Sequence, residues 1–206
     1  MNNDNKKLLM ECMTFEVDTT LLKESINDIS KPFRVKGIVQ RKNQPNQNHR
    51  IYPSGVLERS VDKYINTFVA GKRAMGELDH PDSEIVNLKN VSHNMVELKW
   101  VGDDLIGVAE ILTTPSGNIL RELFKCGIKI GISSRGTGSV KKISESTVMV
   151  NDDFELIAFD YVSNPSTQDA FMSPISTLSE GIVKNPITNQ WMRTDELIHN
   201  ILSELN

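Results

Sequence analysis

The sequence predicts an α+β fold built on a small, mostly antiparallel β-barrel with helices packed outside it. Six segments alternate apolar and polar residues at the two-residue period of a strand, and a short extended piece before Pro81 brings the expected count to six or seven strands. Two segments between them carry the longer period of an amphipathic helix. The period changes along the 206 residues and does not repeat, which argues against a solenoid or a propeller.

Each predicted strand is a short run rich in β-branched and aromatic residues and bounded by turn-forming residues. The predicted strands are 33–40, 91–101, 105–112, 129–138, 140–150 and 154–163. Gly102-Asp103-Asp104 is a turn signal between the second and third of them, so these two strands should form a hairpin.

The two helices have recognisable ends. Pro53 and Ser54 open the first, and Gly71 is its natural stop. Ser116 is a candidate cap for the second helix, and Gly127 is suited to end it. One helix should therefore follow the first strand, and the other should precede the strand at 129–138.

The composition divides the chain into three parts. Residues 1–32 are polar and form a predicted N-terminal extension, residues 33–173 form the predicted core, and residues 174–206 form a predicted flexible tail. The tail is rich in Ser, Thr and Pro until Thr194, where an apolar face of helical period begins. The tail therefore resembles a tether that ends in a docking helix.

Charge and cysteine usage exclude several classes of function. The net charge of −4 provides no basic field for a nucleic-acid backbone. Cys12 and Cys126 are too few and too distant for a disulfide framework or a zinc site, so we expect a reducing compartment and no metal. No signal peptide and no run of roughly 18 apolar residues is present, so we expect a cytoplasmic protein without a membrane span.

One of the four histidines stands out by its neighbours. His80 lies in the segment GELDHP, where Pro81 favours an extended backbone at a junction between strand and loop. Glu77, Asp79 and Asp82 surround it in sequence, and carboxylates of this kind can orient an imidazole or raise its pKa. His80 is therefore a candidate general base.

The segment KIGISSRGTG places two hydroxyl groups, Ser133 and Ser134, among glycines on a predicted strand. Glycines leave room for an approaching peptide, and the main-chain N–H groups near Arg135 and Gly136 are candidate donors to an oxyanion. A serine of this kind needs a base from elsewhere in the chain and a third group that orients the base.

Two residues compete for that third role. Asp160 lies on the following strand, and His93 lies on a hairpin that is expected to run beside the same site.

These blocks, in order, resemble the prohead core proteases of large myophages, which are relatives of the herpesvirus assemblins. The resemblance rests on GELDHP, VSHNMVELKWVGDDLIGVAEILTTPSGNIL, GIKIGISSRGTGSV and FDYVSNPS, and it covers roughly residues 33–173. It implies an assemblin-like barrel and a serine endopeptidase that needs no cofactor.

The resemblance also implies a role for each site residue. The histidine of the GEL-x-HP motif, His80, is the implied general base, and the first serine of the S-S-R-G block, Ser133, is the implied nucleophile, with Ser134 as the alternative. Assemblins carry a histidine on the strand after the nucleophile, whereas this chain has Asp160 in the corresponding stretch. Arg135, with Gly136, is implied in the oxyanion hole.

The implied biology is capsid maturation. Such enzymes act inside the immature capsid in the host cytoplasm, where they cleave scaffold protein, major capsid protein and themselves, and a homo-oligomer is expected. They favour a small residue after Glu, with an aliphatic residue two positions before the Glu. We therefore expect self-cleavage between Glu180 and Gly181, and a second cut between Glu24 and Ser25.

Two other functions compete with this one. The first is a non-catalytic capsid scaffold or interaction protein that uses the tail helix to dock. The second is a hydrolase of small esters, which would need a deep apolar pocket at the serine.

Overall fold

The structure is a computed structural model that describes residues 7–13, 32–163 and 172–175. All of these residues belong to the unit Met1–Ser176. Strands dominate the described part of the chain, and no helix in it has the length and apolar character needed to cross a membrane. The division at residues 32 and 173 stays a prediction.

The described elements are as follows. The strands are β1 (Lys7–Met13), β2 (Phe33–Arg41), β3 (Arg50–Ile51), β4 (Met75–Glu77), β5 (Val91–Val101), β6 (Asp104–Ile111), β7 (Gly131–Gly138), β8 (Val140–Lys142), β9 (Val148–Val150), β10 (Glu155–Val162) and β11 (Ser173–Ile175). The helices are α1 (Ser54–Tyr64), which continues into a π-helical turn (Ile65–Val69), and α2 (Pro115–Lys125).

The described strands form three sheets with the orders β1-β7-β10, β11-β2-β6-β5-β4 and β3-β9-β8. Every ladder is antiparallel except the one between β3 and β9. The mostly antiparallel α+β class is therefore confirmed. The predicted hairpin is also present, because β5 and β6 pair up to Val101 and Asp104.

The expected closed barrel is not confirmed, because the described sheets do not close on themselves. A single parallel bridge, between Leu78 and Tyr161, joins the end of β4 to β10. No continuous ladder of the described residues links the three-stranded sheet of β7 to the five-stranded sheet. The site described below lies beside that bridge.

Helix α1 packs against β10. Its Ser60 hydroxyl accepts a hydrogen bond from the Leu156 amide at 2.8 Å, and the Tyr64 ring meets the Phe159 ring edge-on at 5.8 Å. Buried aromatic side chains of this size each stabilise the fold by roughly 1.5–3 kcal/mol. The helix therefore fixes the position of β10.

Helix α2 connects the five-stranded sheet to the sheet of β1, β7 and β10 through one side chain. The ring of Phe124 lies 6.0 Å from Phe33 of β2 and 5.9 Å from Tyr161 of β10. The Thr114 hydroxyl, and not Ser116, caps the helix by accepting from the Gly117 amide at 3.1 Å. The helix ends as expected, with Gly127 in the left-handed region at φ 71°.

The segment 140–150 was expected to be one strand and is instead the hairpin β8–β9. The amides of Ile143 and Ser144 both donate to the Thr147 carbonyl, and the Ser144 hydroxyl accepts from the Thr147 amide at 3.1 Å. These local hydrogen bonds close a turn in the middle of a segment with high strand propensity. The two-residue period of the sequence does not reveal this turn.

Candidate active site

The site is built on β7 and β10, which place Ser133 directly opposite Asp160. The two residues are partners in the antiparallel ladder, so their side chains project from the same face of the sheet. Both are fully buried. The neighbouring residue, Ser134, is opposite Phe159 and projects from the other face.

The loop after β4 delivers His80 to this face. The Asp79 amide donates to the carbonyl of Tyr161, the residue after Asp160, at 2.8 Å. This hydrogen bond holds the loop against β10. Asp79 has a positive φ of 70°, which redirects the chain immediately before His80. The backbone therefore turns the imidazole toward the sheet.

His80 connects the carboxylate to the hydroxyl. Its Nδ1 lies 2.9 Å from Asp160 Oδ2, and its Nε2 is hydrogen-bonded to the Ser133 hydroxyl. An ionised Asp160 accepts only, so Nδ1 carries the proton and Nε2 is free to accept from Ser133. The imidazole is the most accessible member of the three, with 15% of its side chain exposed.

Asp160 stays ionised in the interior because donors surround it. Burial acts to raise the pKa of its carboxyl group, but the hydrogen bond from His80 and the positive charge of Arg135 outweigh burial and hold the pKa below its usual value. The Glu77 amide also donates to Oδ1 at 3.0 Å. The carboxylate is therefore fixed in orientation and charge.

The side chain of Arg135 supports Asp160. Its Nε lies 2.8 Å from Asp160 Oδ2, and one terminal nitrogen lies 3.1 Å from Glu77 Oε1, while the other donates to the Ser83 carbonyl. Arg135 and Gly136 lie in the central strand of their sheet and have partners in both β1 and β10. The guanidinium thus faces the carboxylates on the interior side of the site.

Ser134 belongs to a different environment. Its hydroxyl accepts a hydrogen bond from Gln40 Nε2 at 2.8 Å. Gln40 lies on β2 and is buried. Of the two serines, Ser133 is the one that the structure brings to His80.

His93 packs in the core beside the site. Its Nδ1 lies 2.9 Å from the Ser92 hydroxyl, and its ring meets the Tyr161 ring edge-on at 4.5 Å. Burial lowers the pKa of His93 to about 4, so the ring is neutral near pH 7. Of the two candidates for the third role, Asp160 and not His93 contacts Nδ1 of His80.

The expectation that glycines near Ser133 leave room for an incoming peptide is wrong at Gly136, because Gly136 packs against the core. A Cβ atom there would lie 2.6 Å from the Phe154 ring and 2.6 Å from the Glu155 carbonyl oxygen. The space that the missing side chain leaves is therefore filled by the protein's own aromatic residue.

A cavity of about 530 Å³ lies beside α1 and apart from the candidate active site. Its apolar lining includes Tyr64, Phe68 and Ile85, whereas Ser133, His80 and Asp160 do not line it. This cavity does not provide the pocket that a small-ester hydrolase would need at the serine. Within the part of the chain that the structure covers, no group of His, Cys, Asp and Glu side chains is arranged to hold a metal ion.

Sequence reasoning missed two residues of this neighbourhood, Glu77 and Gln40. The sequence indicates Glu77 only as a charged neighbour of His80, because its contact with Arg135 joins positions 58 residues apart. Nothing in the pattern of β2 distinguishes Gln40. The expected cleavage positions Glu24, Ser25, Glu180 and Gly181 lie outside the described residues.

Comparison with known proteins points in one direction. Residues 14–181 match the model of a family described as prohead core protein serine protease. The prohead core protein protease of Enterobacteria phage T4 is 34% identical over 143 residues, which cover 68% of each chain. The solved structure of the bacteriophage T4 capsid assembly protease matches with a TM-score of 0.68 and 28% identity, over 77% of this chain and 99% of that one.

Proposed function

Because the chain belongs to the prohead core protein serine protease family, we propose that it is a serine endopeptidase with Ser133 as nucleophile, His80 as general base and Asp160 as the residue that orients His80. The observation that carries the proposal is the continuous series from Asp160 through His80 to the Ser133 hydroxyl. A hydroxyl, an imidazole and a carboxylate in this order activate a serine for attack on a carbonyl.

The proposed reaction is acyl transfer to Ser133 followed by hydrolysis. His80 Nε2 takes the hydroxyl proton as Ser133 Oγ bonds to the peptide carbonyl carbon, and Asp160 stabilises the imidazolium. The imidazolium then gives its proton to the leaving amine as the C–N bond breaks. Water attacks the acyl-enzyme by the same route in reverse, which releases the acid and restores Ser133.

The identity of the N–H groups that donate to the oxyanion stays a prediction. Arg135 and Gly136 were expected to supply main-chain N–H groups, yet both have strand partners on either side. The contacts of the Arg135 side chain support a different role, namely holding Asp160 in place.

A role in prohead maturation follows from the family and from the similarity to the T4 capsid assembly protease. We propose that scaffold protein and major capsid protein are the substrates, and that cleavage occurs inside the immature capsid in the host cytoplasm. The relationship to the herpesvirus assemblins and the expected homo-oligomer stay predictions.

Self-cleavage is part of the same proposal. The strings Leu178-Ser179-Glu180-Gly181 and Leu22-Lys23-Glu24-Ser25 fit a cut between Glu and a small residue. The intact mass of the active chain should correspond to an end at Glu180, whereas Ser133→Ala should keep its full length. A full-length mass for a chain that cleaves other substrates would contradict self-cleavage.

Labelling with a fluorophosphonate tests the nucleophile and its base. The unmodified chain should acquire one adduct on Ser133, detected by intact mass and peptide mapping. Ser133→Ala and His80→Ala should not be labelled, and Ser134→Ala is the matched control that should still be labelled. The same four proteins should be ranked identically by cleavage of the phage's own scaffold protein.

Two results would contradict the proposal. Absence of label on a folded, unmodified chain would favour the non-catalytic capsid scaffold. An adduct on Ser134 that survives in Ser133→Ala would move the nucleophile by one residue.

A further inference from the structure

Glu77 is a buried carboxylate that the proposed mechanism does not use. Its side chain is fully buried, and its Oε1 accepts from Arg135 at 3.1 Å and from the Asn87 amide at 3.0 Å. The same residue donates its own amide to Asp160 at 3.0 Å. Glu77 therefore contacts both partners of the ion pair behind His80.

The geometry makes Arg135 a cation shared by two carboxylates. It contacts Asp160 through two nitrogens at 2.8 and 3.2 Å, and it contacts Glu77 through one of these at 3.1 Å. One positive and two negative side chains leave a net charge of −1 next to His80. Protonation of His80 during the reaction would bring the group of four to neutrality.

The negative charge of Glu77 lies against the positive charge of Arg135. With Arg135 and Asp160 alone, the guanidinium would cancel the carboxylate that must stabilise the imidazolium. A second carboxylate on the far side of Arg135 offsets that positive charge, and a negative charge nearby favours the charged form of an imidazole. The effect is strong because all three groups are withdrawn from water.

We propose that Glu77 is a positioning residue that sets the basicity of His80 through Arg135, an inference that rests on the proposed function. Its Oε1 contacts the Asn87 amide and Arg135, and Arg135 in turn contacts Asp160, the partner of His80, so Glu77 acts on the imidazole through Arg135. The β4–β5 ladder changes register at this point, because Gly76 pairs with His93 and Glu77 pairs with Val91, which leaves Ser92 as the extra residue on β5.

A purely structural role accounts poorly for Glu77. Its Oε2 is buried without a hydrogen-bond partner. A buried ion pair is often no more stabilising than apolar side chains of the same volume. The fold alone therefore gives little reason for a carboxylate here.

The pH dependence of His80 depends on every charged or titratable group around it. The groups that act on it directly or through Asp160 include Asp79 on the connecting loop, Asp160 on β10, Arg135 on β7, Glu77 on β4 and His93 on β5. Tyr161 of β10 packs against His93.

Variants at Glu77 and Arg135 test the link through the titration of His80. Ring resonances are followed by NMR in a Ser133→Ala background, and the His80 signal is the one that is lost with His80→Ala. Glu77→Gln should lower the His80 pKa by about one unit, because it removes a negative charge. Arg135→Met should raise it, and the double variant should return it to within a few tenths of a unit of the starting value.

The rate of fluorophosphonate labelling gives a second readout in chains that retain Ser133. Glu77→Gln should reduce the maximum rate at least about tenfold and move the acidic limb of the pH profile down by about one unit. Glu77→Asp keeps the charge, so its acidic limb should stay in place even where its rate falls. A change in rate with no movement of the limb would indicate a merely structural effect and would overturn the proposal.

An unstable Glu77→Gln chain does not remove the test. Comparing Arg135→Met with the double variant measures the same Glu77 charge, and equal His80 pKa values in these two chains would overturn the inference. If the unmodified chain is never labelled, the proposed function fails, while the NMR titration still decides whether Glu77 sets the His80 pKa.

Discussion

Ser133 and Asp160 are direct cross-strand partners, and His80 bridges their side chains from a loop outside the sheet. A pair opposite one another on an antiparallel ladder has Cβ atoms about 5 Å apart. This spacing is rigid because each residue is held by its own strand. Only the imidazole depends on a loop, and the loop is pinned to β10 by the bridge at Leu78 and Tyr161.

Replacing Asp160 with Asn should reduce kcat by about 10⁴-fold. The amide can present its NH₂ group to His80 Nδ1, which would place the imidazole proton on Nε2, where it cannot accept from Ser133. Cleavage of scaffold protein and labelling rates would measure the loss. Circular dichroism should show a folded chain, and near-normal turnover by that folded chain would exclude Asp160 as the orienting residue.

Replacing Ser134 with Ala should lower stability and spare activity. The change leaves the Gln40 side-chain nitrogen buried without its acceptor, which should cost about 1–3 kcal/mol in the free energy of unfolding. Denaturant titration of Ser133→Ala with and without the second change measures this cost free of self-cleavage. A large loss of labelling in folded Ser134→Ala would mean that the two serines do not divide their roles as the strand faces indicate.

The sequence predicts the parts of the fold that local pattern controls. The alternation in β5 and β6 and the Gly102 turn specify a hairpin without help from distant residues. The match of motifs to a known family relates His80 to Ser133 by resemblance, whereas Asp160 stands where the assemblins carry a histidine. Their contacts join residues 53 and 80 positions apart, which no local period can show.

The remaining features are decided by tertiary contacts. Residues Lys7–Met13 lie in a polar segment, yet they form β1 by pairing with the sequence-distant strand β7. Strand propensity depends strongly on what a segment packs against, so such an edge strand is not apparent from its own residues. The ion pair of Arg135 with Glu77 is hidden for the same reason.

The positive φ of Asp79 predicts a backbone requirement immediately before His80. At φ 70° a β-branched residue is strained, while Gly and Asn are tolerated. Asp79→Val should therefore lose about 1–3 kcal/mol of stability and much of its labelling rate, because the loop that carries His80 would shift. Asp79→Asn is the matched control and should retain both. Equal labelling of the Val and Asn variants would show that this turn does not position the imidazole.

His93 should make the fold sensitive to acid. Burial lowers its pKa in the folded chain to about 4, against an ordinary histidine value of about 6.5. Between about pH 6.5 and pH 4, His93 is protonated in the unfolded chain and neutral in the folded chain. The stability that is present above pH 6.5 is therefore lost as the pH falls toward 4. Between pH 7 and pH 5 this loss should be about 2 kcal/mol.

His93→Gln in the Ser133→Ala background removes the titrating group and keeps a polar side chain. Its free energy of unfolding, measured by denaturant titration, should fall about 2 kcal/mol less between pH 7 and pH 5 than that of Ser133→Ala alone. The paired carboxylates contribute equally to both chains and cancel in the difference. Parallel curves for the two chains would mean that His93 accepts a proton in the folded state, which would place a charged imidazole against Tyr161 and contradict its assignment to the neutral core.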